Sequence, residues 1–260
     1  MKRDILNEIV ERNRPALEIK KQEMSFEKLA ALAADAPKRA SFTDAFRGPG
    51  IHVIAELKKA SPSKGMIRED LDVPVLAKAL KDAGAAALSV LTEPFYFKGG
   101  LENLRMAAKT VSIPLLRKDF IFGTYQILEA KANGASAILL IAAMLNPDEF
   151  KRLLDFAHEN GLAVLGEAHT KSELEVASTA DLVGVNARDL KTFSTSLERS
   201  AELIEKLKDC GKPVIAESAV RSHEDILMLQ NAGASGFLIG ETLMRAADPG
   251  AKLKELVQCC

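Results

Sequence analysis

The 260-residue sequence predicts a parallel α/β barrel, (β/α)8, preceded by a short helical extension. Three observations lead there. Eight short apolar runs recur, each followed by a loop and an amphipathic stretch. Most of the runs are apolar on successive positions rather than alternating, as suits strands covered on both faces. No G-x-G-x-x-G or Walker A pattern marks a doubly wound sheet. The expected architecture is a TIM barrel forming a single domain over residues 1–260, with residues 1–48 as an N-terminal helical extension packed on it.

In that extension Ile5, Ile9 and Val10 recur at helical spacing, as do Leu29, Leu32 and Ala33. Two or three helices are expected. Ser25 is placed to cap one of them, and Pro15 is expected to kink or divide the first. The apolar runs follow at 52–57, 86–91, 114–117, 137–142, 162–167, 182–186, 213–217 and 236–240. Gly84, Gly134, Gly161, Gly211 and Gly233 stand just before a run, where a left-handed residue closes the preceding helix. Helix starts are also legible: Asn146-Pro147-Asp148-Glu149, Thr170 with Glu173 as a capping box, Ser222, and Asp248-Pro249.

Lys and Arg number 35 against 36 Asp and Glu, so the net charge is −1. Nothing in that balance calls for nucleic acid or an anionic membrane as partner. A small anionic ligand needs only a few local cations. Cys210, Cys259 and Cys260 form neither a disulfide framework nor a metal spacing, and the four histidines are scattered, so no metal site is expected. The N-terminal stretch is charged throughout and no run reaches the ~20 apolar residues of a membrane helix. The expectation is a cytoplasmic protein.

Active sites of such barrels lie where the strands end. Glu56 and Lys58 end the first run and share a face, being two apart. Lys118 ends the third, Glu167 the fifth, Asn186 the sixth with Arg188 two further on, and Glu217-Ser218 the seventh. Any one of these could be an ordinary solvated charge. Together they bring opposite charges to one rim, which is costly unless they pair or work. Ser218-Ala219 after the seventh run and Gly240-Glu241 opening a short helix after the eighth fit a phosphate site. The loop 60–67 reads equally as a lid or a surface loop. The aromatics of Thr92–Phe97 read as loop packing or as a wall for an aromatic ligand. His169 reads as loop structure.

Ile54–Gly65, Leu116–Ile121, Gly166–Thr170, Gly184–Leu190 and Ala216–Ser218 closely resemble, in order, the motifs of the indole-3-glycerol-phosphate synthase family, and the resemblance spans nearly the whole chain. It implies ring closure, decarboxylation and dehydration of 1-(2-carboxyphenylamino)-1-deoxyribulose 5-phosphate, in tryptophan biosynthesis, with no cofactor needed; separately, a monomer is expected. By that resemblance Lys118 is the general acid, Glu167 and Glu56 relay protons, and Lys58 engages phosphate and assists dehydration. Ser61, Phe97, Phe120, Leu140, Asn186, Arg188, Leu190 and Glu217 would line the pocket. Ser218, Ala219, Gly240 and Glu241 would surround the phosphate. Ala219 replaces a Gly found in some members, which predicts ordinary backbone there. Glu241 replaces a Ser, which predicts that its carboxylate turns outward. The rival readings are another phosphate-binding barrel, such as phosphoribosylanthranilate isomerase, and a non-catalytic sugar-phosphate binder. In the isomerase a Cys ends the first strand, where this chain has Glu56 and Lys58.

Overall fold

The computed structural model describes residues 5–188 and 194–258. Eight parallel strands close a barrel: β1 (Val53–Leu57), β2 (Ala87–Leu91), β3 (Leu115–Lys118), β4 (Ala137–Ile141), β5 (Ala163–Ala168), β6 (Leu182–Asn186), β7 (Val214–Glu217) and β8 (Gly236–Ile239). β1 pairs with both β2 and β8, so no strand edge is left open.

Strand alternation sorts the buried side chains into two populations. Val53, Ala55, Leu88, Val90, Ile138, Leu140, Val183 and Val185 face outward and pack with the helices. Ile54, Ala87, Leu116, Leu139, Leu165, Leu182, Ile215 and Leu238 face inward and fill the barrel. The interior is layered, alternate strands contributing each layer. Ile54, Leu116, Leu165 and Ile215 come from odd-numbered strands. Two residues further along the same strands come Glu56, Lys118, Glu167 and Glu217. The apolar interior thus ends at a charged layer. Phe42 and Phe46 plug the opposite end, Phe46 belonging to a 3-10 turn at Thr43–Phe46.

The extension forms α1 (Ile5–Glu23) and α2 (Phe26–Ala34), with Ser25 capping α2 as expected. Pro15 does not divide α1, which runs through it. Tertiary bonds outweigh the lost backbone bond. Tyr125 donates to the Lys20 and Met24 carbonyls, Lys20 pairs with Glu129 at 3.1 Å, and Asn13 donates to Glu93 at 3.1 Å.

The outer layer comprises α3 (Val73–Asp82), α4 (Leu101–Thr110), α5 (Thr124–Ala132), α6 (Pro147–Glu159), α7 (Lys171–Ala177), α8 (Leu197–Glu205), α9 (His223–Ala232), α10 (Glu241–Arg245) and α11 (Pro249–Val257). Asn146 and Ser222 form capping boxes, and Asp248 caps α11. Thr170 does not form its box. Glu173 instead accepts the His169 backbone N–H at 2.7 Å.

Candidate active site

A cavity of about 430 Å³ opens at the C-terminal ends of the strands, the size range of small-molecule sites. Glu56, Lys58, Lys118, Glu167 and Glu217 all line it. Lys58 and Glu56 pair at 2.5 Å. The Lys118 ammonium lies 3.0 Å from one oxygen of Glu167 and 3.5 Å from Glu217. Glu56, Glu167 and Glu217 are buried, and the Lys118 side chain is nearly so.

Burial and charge pull these groups apart electrically. Burial alone would lower Lys118, but Glu167 and Glu217 together raise it well above the ordinary lysine range. Burial would raise Glu167, yet Lys118 and His169 hold its carboxyl well below the usual carboxylate range. Glu217 goes the other way: burial, reinforced by the neighbouring Glu167 charge, pushes it up to about 8. At neutral pH the layer therefore holds a protonated lysine, an ionised Glu167 and a protonated Glu217. Two carboxyl groups with opposite proton occupancy beside one ammonium can both accept and donate protons.

Glycine makes room for this layer. Gly184 on β6 sits in register with Glu167. A Cβ there would collide with the Glu217 carboxylate oxygen Oε1. A Cβ on Gly240 would collide with Glu56 and come within 3.0 Å of the Lys58 ammonium. Both large carboxylates fit because their neighbours have no side chain.

The aromatic loop divides. Glu93 is buried and accepts the backbone N–H groups of Phe95, Tyr96 and Phe97. That turn presents Phe97 to the cavity, 5.9 Å from Phe120. Phe95 and Tyr96 instead receive the Arg12 guanidinium of α1 on their rings. The loop after β1 is a small hairpin, Ala60–Ser61 against Gly65–Met66, and Ser61 faces the cavity. Arg188 donates to Ser63 in the same loop at 3.2 Å.

Most of the expected residues meet at this cavity: Asn186, Arg188, Ser218, Ala219, Gly240 and Glu241 line it as well. Leu140 does not. It points outward into the helix layer, because Leu139 and Ile141 take the inward positions on β4 and form the wall. Leu190 lies outside the described residues. Ala219 departs from expectation too. Both Ser218 and Ala219 are left-handed, with φ of 68° and 66°, at a cost of about 1–2 kcal/mol each. Turning the chain sharply between β7 and the rim requires it. Glu241 does not turn out to solvent. It lies 3.1 Å from Arg245 and 3.7 Å from both Lys64 and Arg188. Burial would raise its carboxyl, but Arg245 and the other cations lower it.

Three lining residues of α1 (Ile5, Leu6 and Ile9) escaped the sequence reading. Their helical spacing was visible; what they cover was not. Gly184 escaped as well, although a glycine inside an apolar strand run is itself a sign of close approach. His169, read above only as loop structure, lies 3.2 Å from Glu167 and 3.4 Å from Glu173. Its spacing to them, two back and four on, was available in the sequence.

Opposed charges on the floor of a mouth cavity, at the strand ends of a closed barrel, define the class: this is a (β/α)8-barrel enzyme. The model of the family described as indole-3-glycerol phosphate synthase matches residues 6–256. The chain belongs to that family, whose members are carboxy-lyases. The indole-3-glycerol phosphate synthase of Koribacter versatilis is 54% identical over 210 residues, 80% of each chain. That of Neisseria meningitidis serogroup B is 44% identical over 261 residues, covering 97% of this chain and 99% of the relative. Among solved structures, a mutant tryptophan synthase alpha-subunit from the hyperthermophile Pyrococcus furiosus matches with a TM-score of 0.63. It covers 79% of this chain and 97% of its own at 18% identity, a likeness of fold alone.

Proposed function

We propose that this cavity carries out the indole-3-glycerol phosphate synthase reaction with Lys118 as general acid and Glu167 as the proton-relaying carboxylate. The carrying observation is their contact: a raised, buried ammonium 3.0 Å from a lowered, buried carboxylate, both facing one cavity. The substrate is 1-(2-carboxyphenylamino)-1-deoxyribulose 5-phosphate. Its ring carbon bearing the carboxylate attacks the C2 carbonyl of the sugar chain. Lys118 stabilises and protonates the oxygen as charge develops there. The carboxylate leaves as carbon dioxide, returning its electron pair to the ring. The new hydroxyl then departs as water while a carbon-bound proton is removed, completing the indole. Glu167 and Glu56 serve the proton transfers and Lys58 assists loss of the hydroxyl. Folding the substrate on itself is the remaining task, and it falls to the cavity shape.

The apolar wall of Phe97, Phe120, Leu139 and Ile141 suits the aromatic ring. The opposite side, around Ser218, Ala219, Gly240 and the cations Lys64, Arg188 and Arg245, suits the phosphate. Glu241 then acts as a counter-charge that holds those cations before the phosphate arrives. Ser61, Asn186 and Glu217 hold the sugar chain, with Glu217 donating its proton as a hydrogen bond. On this reading the chain works as one domain over 1–260, with residues 1–48 an extension packed on the barrel whose Ile5, Leu6 and Ile9 line the cavity. It works as a monomer. A charged phosphoester does not cross a bilayer unaided, which supports a cytoplasmic enzyme; no described helix is long and apolar enough to cross a membrane.

Turnover tests the assignment. Purified protein given the carboxyphenylamino ribulose phosphate should generate indole absorbance, and Lys118→Ala should remove it while circular dichroism stays native. Binding without turnover in the wild type would favour a sugar-phosphate binder. Near-normal kcat in Lys118→Ala would remove Lys118 from the chemistry.

A further inference from the structure

His169 stands just beyond Glu167 at the end of β5 and is buried. Its Nε2 lies 3.2 Å from Glu167 Oε1, while Lys118 holds the other oxygen, Oε2, at 3.0 Å. Its Nδ1 lies 3.4 Å from Glu173 on α7. Each ring nitrogen thus faces a carboxylate oxygen at close range. The backbone of His169 is also held on both sides. Glu173 accepts its N–H at 2.7 Å, and Arg199 of α8 donates to its carbonyl at 3.3 Å. The ring therefore has little freedom, and its charged neighbours are fixed from three elements: Glu167 on its own strand, Glu173 on α7 and Arg199 on α8. Lys118 and Glu217 stand on the far side of Glu167.

We propose that His169 is a positioning residue for the reaction: its imidazole anchors Glu167 by one oxygen, so that the other is presented to Lys118 and the cavity in a single orientation. This rests on the role given above to Glu167. Without the anchor a carboxylate on a short strand end can rotate, and a misplaced proton relay costs rate even when the fold survives. Glu173 acts one step further back, facing the ring at Nδ1 and accepting the His169 backbone N–H.

Protonation of the ring fits the geometry. Burial would lower His169, but the Glu167 and Glu173 carboxylates raise it to about 9. Glu173 in turn is lowered by His169 against the opposing pull of burial. The anchoring charge is thus present below about pH 9 and is lost as the pH rises through it.

A double-mutant cycle with Glu167 decides the matter. His169→Asn should lower kcat by about 10- to 100-fold, the range seen when an orienting partner is removed. KM should stay within about twofold and the fold should remain native, since no substrate contact is lost. In a Glu167→Gln background the same change should cost nothing further in kcat, because its target is gone. The imidazole should titrate near pH 9 by NMR in the wild type and fall in Glu167→Gln. Near-normal kcat in His169→Asn, with Glu167→Gln inactive, would overturn the proposal and leave the role of Glu167 standing. A full, multiplying loss in the Glu167→Gln background would also overturn it, since His169 would then act elsewhere. Near-normal activity in Glu167→Gln itself would remove the reading on which both rest. Should the Asn variant fail to fold, the wild-type titration still decides: an imidazole at or below its ordinary value sinks the anchor.

Discussion

Two layers of the barrel interior lie two residues apart on the same four strands, yet they are opposites. Ile54, Leu116, Leu165 and Ile215 form an apolar layer that joins the strands through dispersion and exclusion of water. Glu56, Lys118, Glu167 and Glu217 form the next odd-strand layer on the same faces, where the barrel opens. Desolvating ions costs several kcal/mol each, and pairing returns only part of it. The lower layer therefore carries stability, and the upper one is the layer to which the proposed reaction assigns its chemistry. The difference also explains how the reactive layer stays in place: each of its side chains projects from a strand pinned one step below by a buried hydrocarbon.

Removing one member from each layer is the strongest way to break that contrast. Lys118→Ala should reduce turnover by about 1,000-fold or more, as losing a charge-stabilising group does. Leu116→Ala should instead lower unfolding free energy by about 2–5 kcal/mol in urea titrations, leaving a smaller kinetic effect. If Lys118→Ala destabilises the chain as much as Leu116→Ala, the upper layer is structural too. Gly184→Ala sharpens the contrast between the layers. Its methyl would strike Glu217 Oε1 and approach Leu165 Cδ1 at 3.4 Å. Overpacking should cost about 1–3 kcal/mol and lower kcat by shifting Glu217. Unchanged kcat and stability would mean that the carboxylate has space to move.

Glu217→Gln probes the upper layer alone. The Glu217 carboxyl, ordinarily near 4.5, is raised to about 8 by burial and by Glu167. The folded state therefore holds an extra proton between those values. Stability from this group is greatest below pH 4.5, declines as pH rises toward 8 and levels off above it. The Gln variant should lose that slope in denaturant midpoints measured across the range; an identical slope in both proteins would place the proton elsewhere. The smallest expected effect is at the rim. Ala219→Gly should raise stability by up to about 1 kcal/mol, because glycine takes a positive φ without strain. A loss of stability would mean that the Ala219 methyl makes contacts worth more than the strain.

Much of this was legible in the residues. The eight apolar runs became the eight strands, and their polar ends met at one mouth, because strand period two and parallel pairing leave little choice. Leu140 failed for a related reason: in AILLIA every position is apolar, so composition cannot say which alternate set faces inward. Pro15 does not divide α1 because its local penalty is outweighed by bonds to residues about 80 and 100 positions away, Glu93 and Tyr125. Ala219 failed because a left-handed residue reflects what the chain must do on both sides of it. Thr170 and Glu173 matched a capping box, but His169 competed for the same carboxylate.

The order of side chains along the chain determined the barrel, its charged rim and its place in a family, since those follow from local period and local motif. Only the folded structure decided which neighbours each charge has. The opposite proton states of Glu167 and Glu217 and the space left by Gly184 arise between strands far apart in sequence. Coulomb energy and excluded volume depend on distance in space, and no spacing in a one-dimensional string encodes that distance.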